Sequence, residues 1–244
     1  MPRLTRRLFT ASTVAAAAAG LSGCAGSNRA SPLAGGLLEG LPFGLGGGGG
    51  RSGRTLERPD YAQVYGPVAS EAHPMAAFRY ASVDSAFLRQ EVVYTGPEEP
   101  GTIVVDPRGR FLYHVGEGRR ATRYGVGVGR AGFVWSGEAR INMKRAWPDW
   151  VPPQEMIARD PAIRAQLVAT SRGDGVLGGP RSPLGARALY LFAEGGDTGY
   201  RIHGTTEPGT IGTHVSSGCV RMVNQDVIHL YHRTPEGSRV TVLA

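Results

Sequence analysis

The chain has 244 residues, with 27 Lys and Arg against 20 Asp and Glu, a formal charge of +7. That length allows one domain with a real core plus additional segments. The basic residues are mostly Arg and scattered, with no dense run to mark a nucleic-acid site, so no nucleic-acid partner is expected.

Residues 1–23 read as an export signal. Arg3, Arg6 and Arg7 give a positive start, and an apolar, Ala-rich stretch runs from Val14 to Leu21. That stretch is too short to span a membrane, which takes about 20 apolar residues. Thr5-Arg6-Arg7-Leu8-Phe9 is similar to a twin-arginine signal, although a Sec signal can also carry paired arginines. Leu21-Ser22-Gly23-Cys24 resembles a bacterial lipobox, which implies cleavage before Cys24 and lipidation of its thiol. The alternative is an ordinary secreted protein cut near Ala-x-Ala. The lipobox reading places the protein in the periplasm on a membrane anchor, with inner or outer membrane left open. Several acyl chains on one residue hold stably where a single chain is marginal. Losing residues 1–23 removes three arginines and no acids, leaving 24 basic and 20 acidic residues, or +4. Such a charge fits anionic cell-envelope polymers.

Residues 24–58 read as the lipidated cysteine and a Gly-rich tether, with Gly46 to Gly50 unbroken. They hold too little apolar surface to offset the entropy of ordering. About 35 such residues span roughly 30–35 Å on average. No Gly-Lys-Ser/Thr comes after the glycines, which excludes a phosphate-binding loop. Residues 59–100 read as a lead-in that packs on the main domain, with a helical turn and a strand between Val83 and Val93.

From Gly101 to Ala244 the pattern is mostly β. Thr102–Val105 and Arg110–Val115 are strands around a turn at Asp106-Pro107-Arg108-Gly109, whose residue types suit type I. Further strands are expected over Thr122–Val128, Ala188–Phe192, Tyr200–His203 and Arg239–Leu243. Helices are few, with candidates at Pro153–Arg159, Pro161–Thr170 and Asn224–Tyr231. Gly127-Val128-Gly129-Arg130-Ala131-Gly132 matches a dinucleotide fingerprint, but the next residues, Phe133-Val134-Trp135-Ser136-Gly137, do not start a helix. The run reads as a strand end and a Gly turn.

Cys219 is the only cysteine outside the signal and its end. A lone thiol in an oxidising compartment is either an inert core residue or a nucleophile. Its small, Gly-flanked setting, with His203-Gly204 upstream, favours the nucleophile. Residues 101–244 resemble the YkuD-type catalytic domain of L,D-transpeptidases, bacterial cell-wall cross-linking enzymes. The resemblance rests on Ile202-His203-Gly204-Thr205, Gly212 and Ser216-Ser217-Gly218-Cys219-Val220-Arg221-Met222. Pro183–Leu191 and Gly101–Asp106 also resemble family segments. It implies a mostly β fold, with sandwich-like mixed sheets and a few short helices. The departure is Ser217, where many members carry a second histidine, an accessory one by resemblance.

By that resemblance Cys219 is the nucleophile and His203 its base, with the Gly204 carbonyl orienting the ring. Gly218 lets the backbone aim N–H groups at an oxyanion, and Ser217, Gly218 and Arg221 lie in the substrate-binding stretch. Arg221 suits a fork of hydrogen bonds to a substrate carboxylate, or alternatively a structural ion pair. The implied reaction cleaves a peptidoglycan tetrapeptide stem before its terminal D-Ala and passes a Cys thioester to a neighbouring stem's amine. The product is a 3→3 cross-link, and no metal or cofactor is required. Water as acceptor would make an L,D-carboxypeptidase, and a protein amine would make a ligase that ties an envelope protein to the wall. A non-enzymatic wall-binding lipoprotein with a retired site is the other class. His214 rivals His203 as base. A zinc set from His203, His214, Cys219, His229 and His232 lacks a dense ligand pair, and His229-x-x-His232 falls on an expected surface helix. His73 and His114 read as structural.

Overall fold

Strands with unbroken buried runs, such as Ile103–Asp106 and Arg187–Leu191, form the middle of the sheet, and the order of its strands decides where the site falls. The computed structural model describes residues 52–130, 135–216 and 218–244. Residues 1–51, 131–134 and Ser217 lie outside the described residues, and with them the export signal, Cys24 and most of the expected tether.

In chain order the elements are β1 (Ser52–Glu57), α1 (Tyr61–Val64), β2 (Gln90–Tyr94), β3 (Ile103–Asp106), β4 (Phe111–Gly116), β5 (Arg120–Gly125), β6 (Val128–Gly129) and β7 (Gly137–Ala146). Then come α2 (Gln154–Arg159), β8 (Val168–Thr170), β9 (Gly173–Gly175), β10 (Arg187–Ala193), β11 (Gly196–His203), β12 (His214–Ser216), β13 (Val220–Arg221), α3 (Asn224–Arg233) and β14 (Arg239–Val242). Ten strands form one mixed sheet in the order β1-β2-β5-β4-β3-β14-β7-β10-β11-β13. The fold is mostly β, with few and short helices.

Both faces of the β3–β5 region are covered, because alternate residues enter different clusters. Leu112 and Tyr124 join the main core, whereas Tyr113, Val115 and Ala121 pack with Val92, Tyr94 and Val104. The main core continues through Leu189, Leu191, Ile202, Val220 and Met222, and α3 lays Val227 and Leu230 on it. Burial on this scale is worth about 1.5–3 kcal/mol for each large side chain. Lys144 of β7 donates to the carbonyls of Tyr231 (2.6 Å) and Thr234 (2.5 Å), satisfying acceptors that the end of α3 leaves open.

The expected elements and the structure differ at four places. Ser52–Glu57, expected in the tether, is an edge strand paired antiparallel with β2. Pro161–Gln166 forms only a 3-10 helix capped by Asp160, and Val168–Thr170 leaves it to pair with β9. The strand expected over Thr122–Val128 breaks after Gly125, whose backbone passes so close to Phe87 that a Cβ would collide with it. β7 is a strand that the sequence pattern does not announce. Its buried positions are few, chiefly Ala139 and Ile141, and charged residues hide the alternation.

Residues 59–100 are wired into the rest. Tyr65 donates to Asp226 Oδ2 (3.0 Å) and accepts from the Arg89 N–H (2.8 Å). Gln225 of α3 donates to the carbonyls of Gly66 and Ala76.

Candidate active site

The register of two neighbouring strands gathers the candidate residues. β11 runs parallel to β13, with Ile202 opposite Val220 and His203 opposite Arg221. Paired residues share a face and successive residues alternate. Ile202 and Val220 point into the main core, so His203 and Arg221 point the other way. Arg201 and Cys219, each two residues earlier, fall on that same outer face. Cys219, His203 and Arg221 line one cavity of about 730 Å3, together with Trp150, Met156, Thr206 and Glu207. A volume of that size suits a peptide-sized ligand.

His203 is buried and fixed by its neighbour. Its Nδ1 lies 2.5 Å from the Gly204 carbonyl oxygen. A carbonyl can only accept, so Nδ1 carries the proton and the lone pair is on Nε2. Gly204 is itself held, its N–H donating to the Arg187 carbonyl at 3.0 Å. A Cβ there would collide with Asn224 Oδ1, so glycine is required by close approach. Asn224, at the start of α3, donates to the Thr205 carbonyl (3.1 Å) and accepts from the Ala186 N–H (3.0 Å). This amide clamps the segment that orients the base. The Asn-Gln-Asp start of α3 is its only trace in the sequence, and by itself it signals no more than a helix start.

Burial pushes the His203 imidazole down to about 4, and the Arg221 and Arg201 charges act in the same direction against the Gly204 hydrogen bond. Burial pushes the Cys219 thiol above its usual range, opposed by a hydrogen bond with the Arg201 backbone and by the Arg201 and Arg221 charges. Both shifts favour the neutral forms, a thiol and an imidazole that line the same cavity. Gly218 has φ +124°, a region that favours glycine, and this turns the backbone immediately before Cys219.

Arg221 lines the cavity but is paired, and the other expected histidines lie elsewhere. Arg221 donates to Glu207 Oε2 at 2.7 Å, so the ion-pair alternative describes its contact here. His214 is on β12, away from the cavity lining. His229 is not simply a surface residue, since its Nδ1 sits 2.7 Å from the Tyr124 hydroxyl. Among the described residues no three His, Cys, Asp or Glu side chains gather as metal ligands. His73 packs edge-on against Trp147, and burial lowers the His114 pKa. The glycines of the fingerprint-like run have another use. Gly127 exchanges hydrogen bonds with Arg221 (2.9 and 2.8 Å), and a Cβ on it would press on the Thr210 carbonyl at 2.7 Å.

A family model for the L,D-transpeptidase catalytic domain, YkuD, matches residues 100–242. The chain belongs to this family. Probable L,D-transpeptidase YbiS of Escherichia coli K12 is 30% identical over 155 residues, covering 62% of this chain and 47% of that protein. Probable L,D-transpeptidase ErfK/SrfK of the same strain is 28% identical over 191 residues, covering 75% of this chain and 58% of the relative. The chain thus spans about half the length of these relatives. A solved Brucella melitensis chain described as a probable carnitine operon oxidoreductase is 48% identical, covers 68% of this chain and 99% of its own, and has a TM-score of 0.44.

Proposed function

We propose that the protein is a cysteine-dependent L,D-transpeptidase acting on peptidoglycan tetrapeptide stems. The observation that carries this reading is the buried His203, whose Nδ1 is held by the Gly204 carbonyl and which lines one cavity with Cys219.

In the proposed cycle Cys219 Sγ attacks the carbonyl carbon before the terminal D-Ala while His203 Nε2 takes the thiol proton. Backbone N–H groups at the Gly218–Cys219 turn face the developing oxyanion. The C–N bond breaks, and Nε2 returns its proton to the departing D-Ala amine. The thioester on Cys219 is then attacked by the diamino-acid amine of a neighbouring stem. Nε2 takes a proton from that amine and hands it back to the sulfur. The result is a 3→3 cross-link and a restored thiol. Water or an envelope-protein amine could replace the stem amine without altering the first half of the cycle. The site uses no metal or organic cofactor in this scheme. Cys24 would hold the enzyme to a membrane facing the periplasm, with the Gly-rich run as its reach toward the wall.

A carbapenem tests the nucleophile, because its strained ring mimics the acyl donor. Intact-mass spectrometry should show one covalent adduct, and peptide mapping should place it on Cys219. No adduct on folded protein, or an adduct on a serine peptide, would overturn the assignment.

A further inference from the structure

Three arginines line the catalytic cavity, and two of them are matched by carboxylates. Arg201 holds Asp197 through two hydrogen bonds at 2.6 and 2.7 Å, and Arg221 holds Glu207 at 2.7 Å. The third, Arg172, stands at the turn between β8 and β9 and makes no ion pair among the described residues. Its one side-chain hydrogen bond there runs from Nη1 to the Tyr190 hydroxyl, at 3.1 Å. The turn that carries it is pinned. Thr170 Oγ1 accepts from the Arg172 N–H (3.1 Å) and donates to the Gly173 carbonyl (2.7 Å). Of the nearby acids, Asp197 is hydrogen-bonded by Arg201 and the Gly199 N–H while also feeling the Arg172 charge, and Asp149 accepts from the Gly178 N–H at 2.7 Å.

Tyr190 ties this arginine to the reacting atoms. It lies opposite Arg201 across β10 and β11, and the Arg201 guanidinium sits 4.3 Å from its ring centre. Arg201 in turn neighbours Cys219 across β11 and β13. Strands are spaced about 4.8 Å apart, so Tyr190 stands roughly 10 Å from Cys219 along the sheet. An extended peptide covers that distance in about three residues at 3.3–3.6 Å each. Tyr190 is only 1% exposed and its hydroxyl accepts from Arg172, so it serves to hold the guanidinium in place. The guanidinium retains its remaining N–H groups, a fork shaped for a carboxylate.

We propose that Arg172 and Tyr190 form a carboxylate-binding subsite of the catalytic cavity, which selects stem peptides bearing a free carboxylate away from the scissile bond. This rests on the reading of the protein as a stem-peptide transpeptidase. The subsite sets substrate affinity and takes no part in the proton transfers. Arg172 supplies the charge and the donors, and Tyr190 positions the guanidinium through its hydroxyl.

The test pairs the tetrapeptide with versions in which each non-scissile carboxyl is singly converted to the carboxamide. Equilibrium binding is measured on Cys219→Ala protein with and without Arg172→Gln. D-Ala release is measured on protein with Cys219 intact. We expect one amide to bind at least about tenfold more weakly than the acid, as loss of a charge-assisted hydrogen bond predicts, and Arg172→Gln to erase that difference. The effect on turnover should fall on KM and leave kcat largely unchanged. Arg172→Lys should keep part of the preference, and Tyr190→Phe should weaken it. Alkylation of Cys219 by iodoacetamide, which carries no carboxylate, should proceed at the same rate in Arg172→Gln. An unchanged acid-to-amide ratio in Arg172→Gln, or no preference in the parent protein, overturns the subsite. Absence of D-Ala release from every peptide, with acid-selective binding intact, instead overturns the transpeptidase reading.

Discussion

Glu71 and Arg187 are joined by two parallel hydrogen bonds, Nη1 to Oε2 at 2.8 Å and Nη2 to Oε1 at 2.6 Å. Their side chains are only 12% and 6% exposed, and Trp147 Nε1 adds a third bond to the same carboxylate. Arg187 begins β10 and its carbonyl accepts the Gly204 N–H, so this upstream acid braces the strand beside His203, the proposed base. Glu71→Ala leaves a buried guanidinium unpaired and should cost about 3–5 kcal/mol, read from urea unfolding. The Arg187 hydrogen bonds hold the Glu71 carboxyl below its usual range. A lowered folded pKa contributes stability that is present above the unfolded value and lost as pH falls through the folded one. Acid unfolding of the wild type should therefore be steeper than that of Glu71→Gln. Equal slopes would contradict the role given to the pair.

The two candidate bases should separate cleanly. His203 is buried with its Nδ1 proton held, whereas His214 lies on β12 outside the cavity lining. General-base removal typically costs 10²–10⁴-fold, so His203→Ala should lose at least about a hundredfold in acylation rate by a carbapenem and His214→Ala less than about tenfold. Stopped-flow traces on equally folded variants decide it, and a larger loss in His214→Ala would reverse the assignment.

The pH profile is set by the same burial. A base acts only while unprotonated, and burial pushes His203 down to about 4. The acylation rate should hold level through the neutral range and fall only as pH drops through about 4. A half-point near the ordinary histidine value of about 6.5 would show the imidazole to be solvated and poorly positioned.

Much of the candidate site is legible in the sequence because its residues sit close together there. His203-Gly204 and Ser216–Met222 carry the resemblance, and the parallel pairing of β11 with β13 sets His203 opposite Arg221. Strands with apolar runs, such as Ala188–Phe192 and Ile103–Val105, are readable for the same local reason. The elements that stay hidden depend on distant partners. β7 looks polar because only Ala139 and Ile141 are fully buried, yet two neighbouring strands enclose it. No described side chain of β1 is buried to announce it, and the strand exists by pairing with β2. Arg172, Tyr190 and Glu207 reach the cavity from three separate elements, and no spacing rule joins them.

The membrane anchor has its own test. If Cys24 is lipidated, a tagged fatty acid should label the protein in cells, and Cys24→Ser should remove the label and release the protein from the membrane fraction. Label that survives Cys24→Ser would rule out the lipobox reading.

The most direct measurement of the central claim is D-Ala release and dimer formation from a disaccharide-tetrapeptide, detected by mass spectrometry. The account predicts that the wild type releases D-Ala and yields a 3→3 linked dimer. Cys219→Ala, with an unchanged circular dichroism spectrum, should do neither. Continued D-Ala release by Cys219→Ala would contradict the thiol mechanism outright.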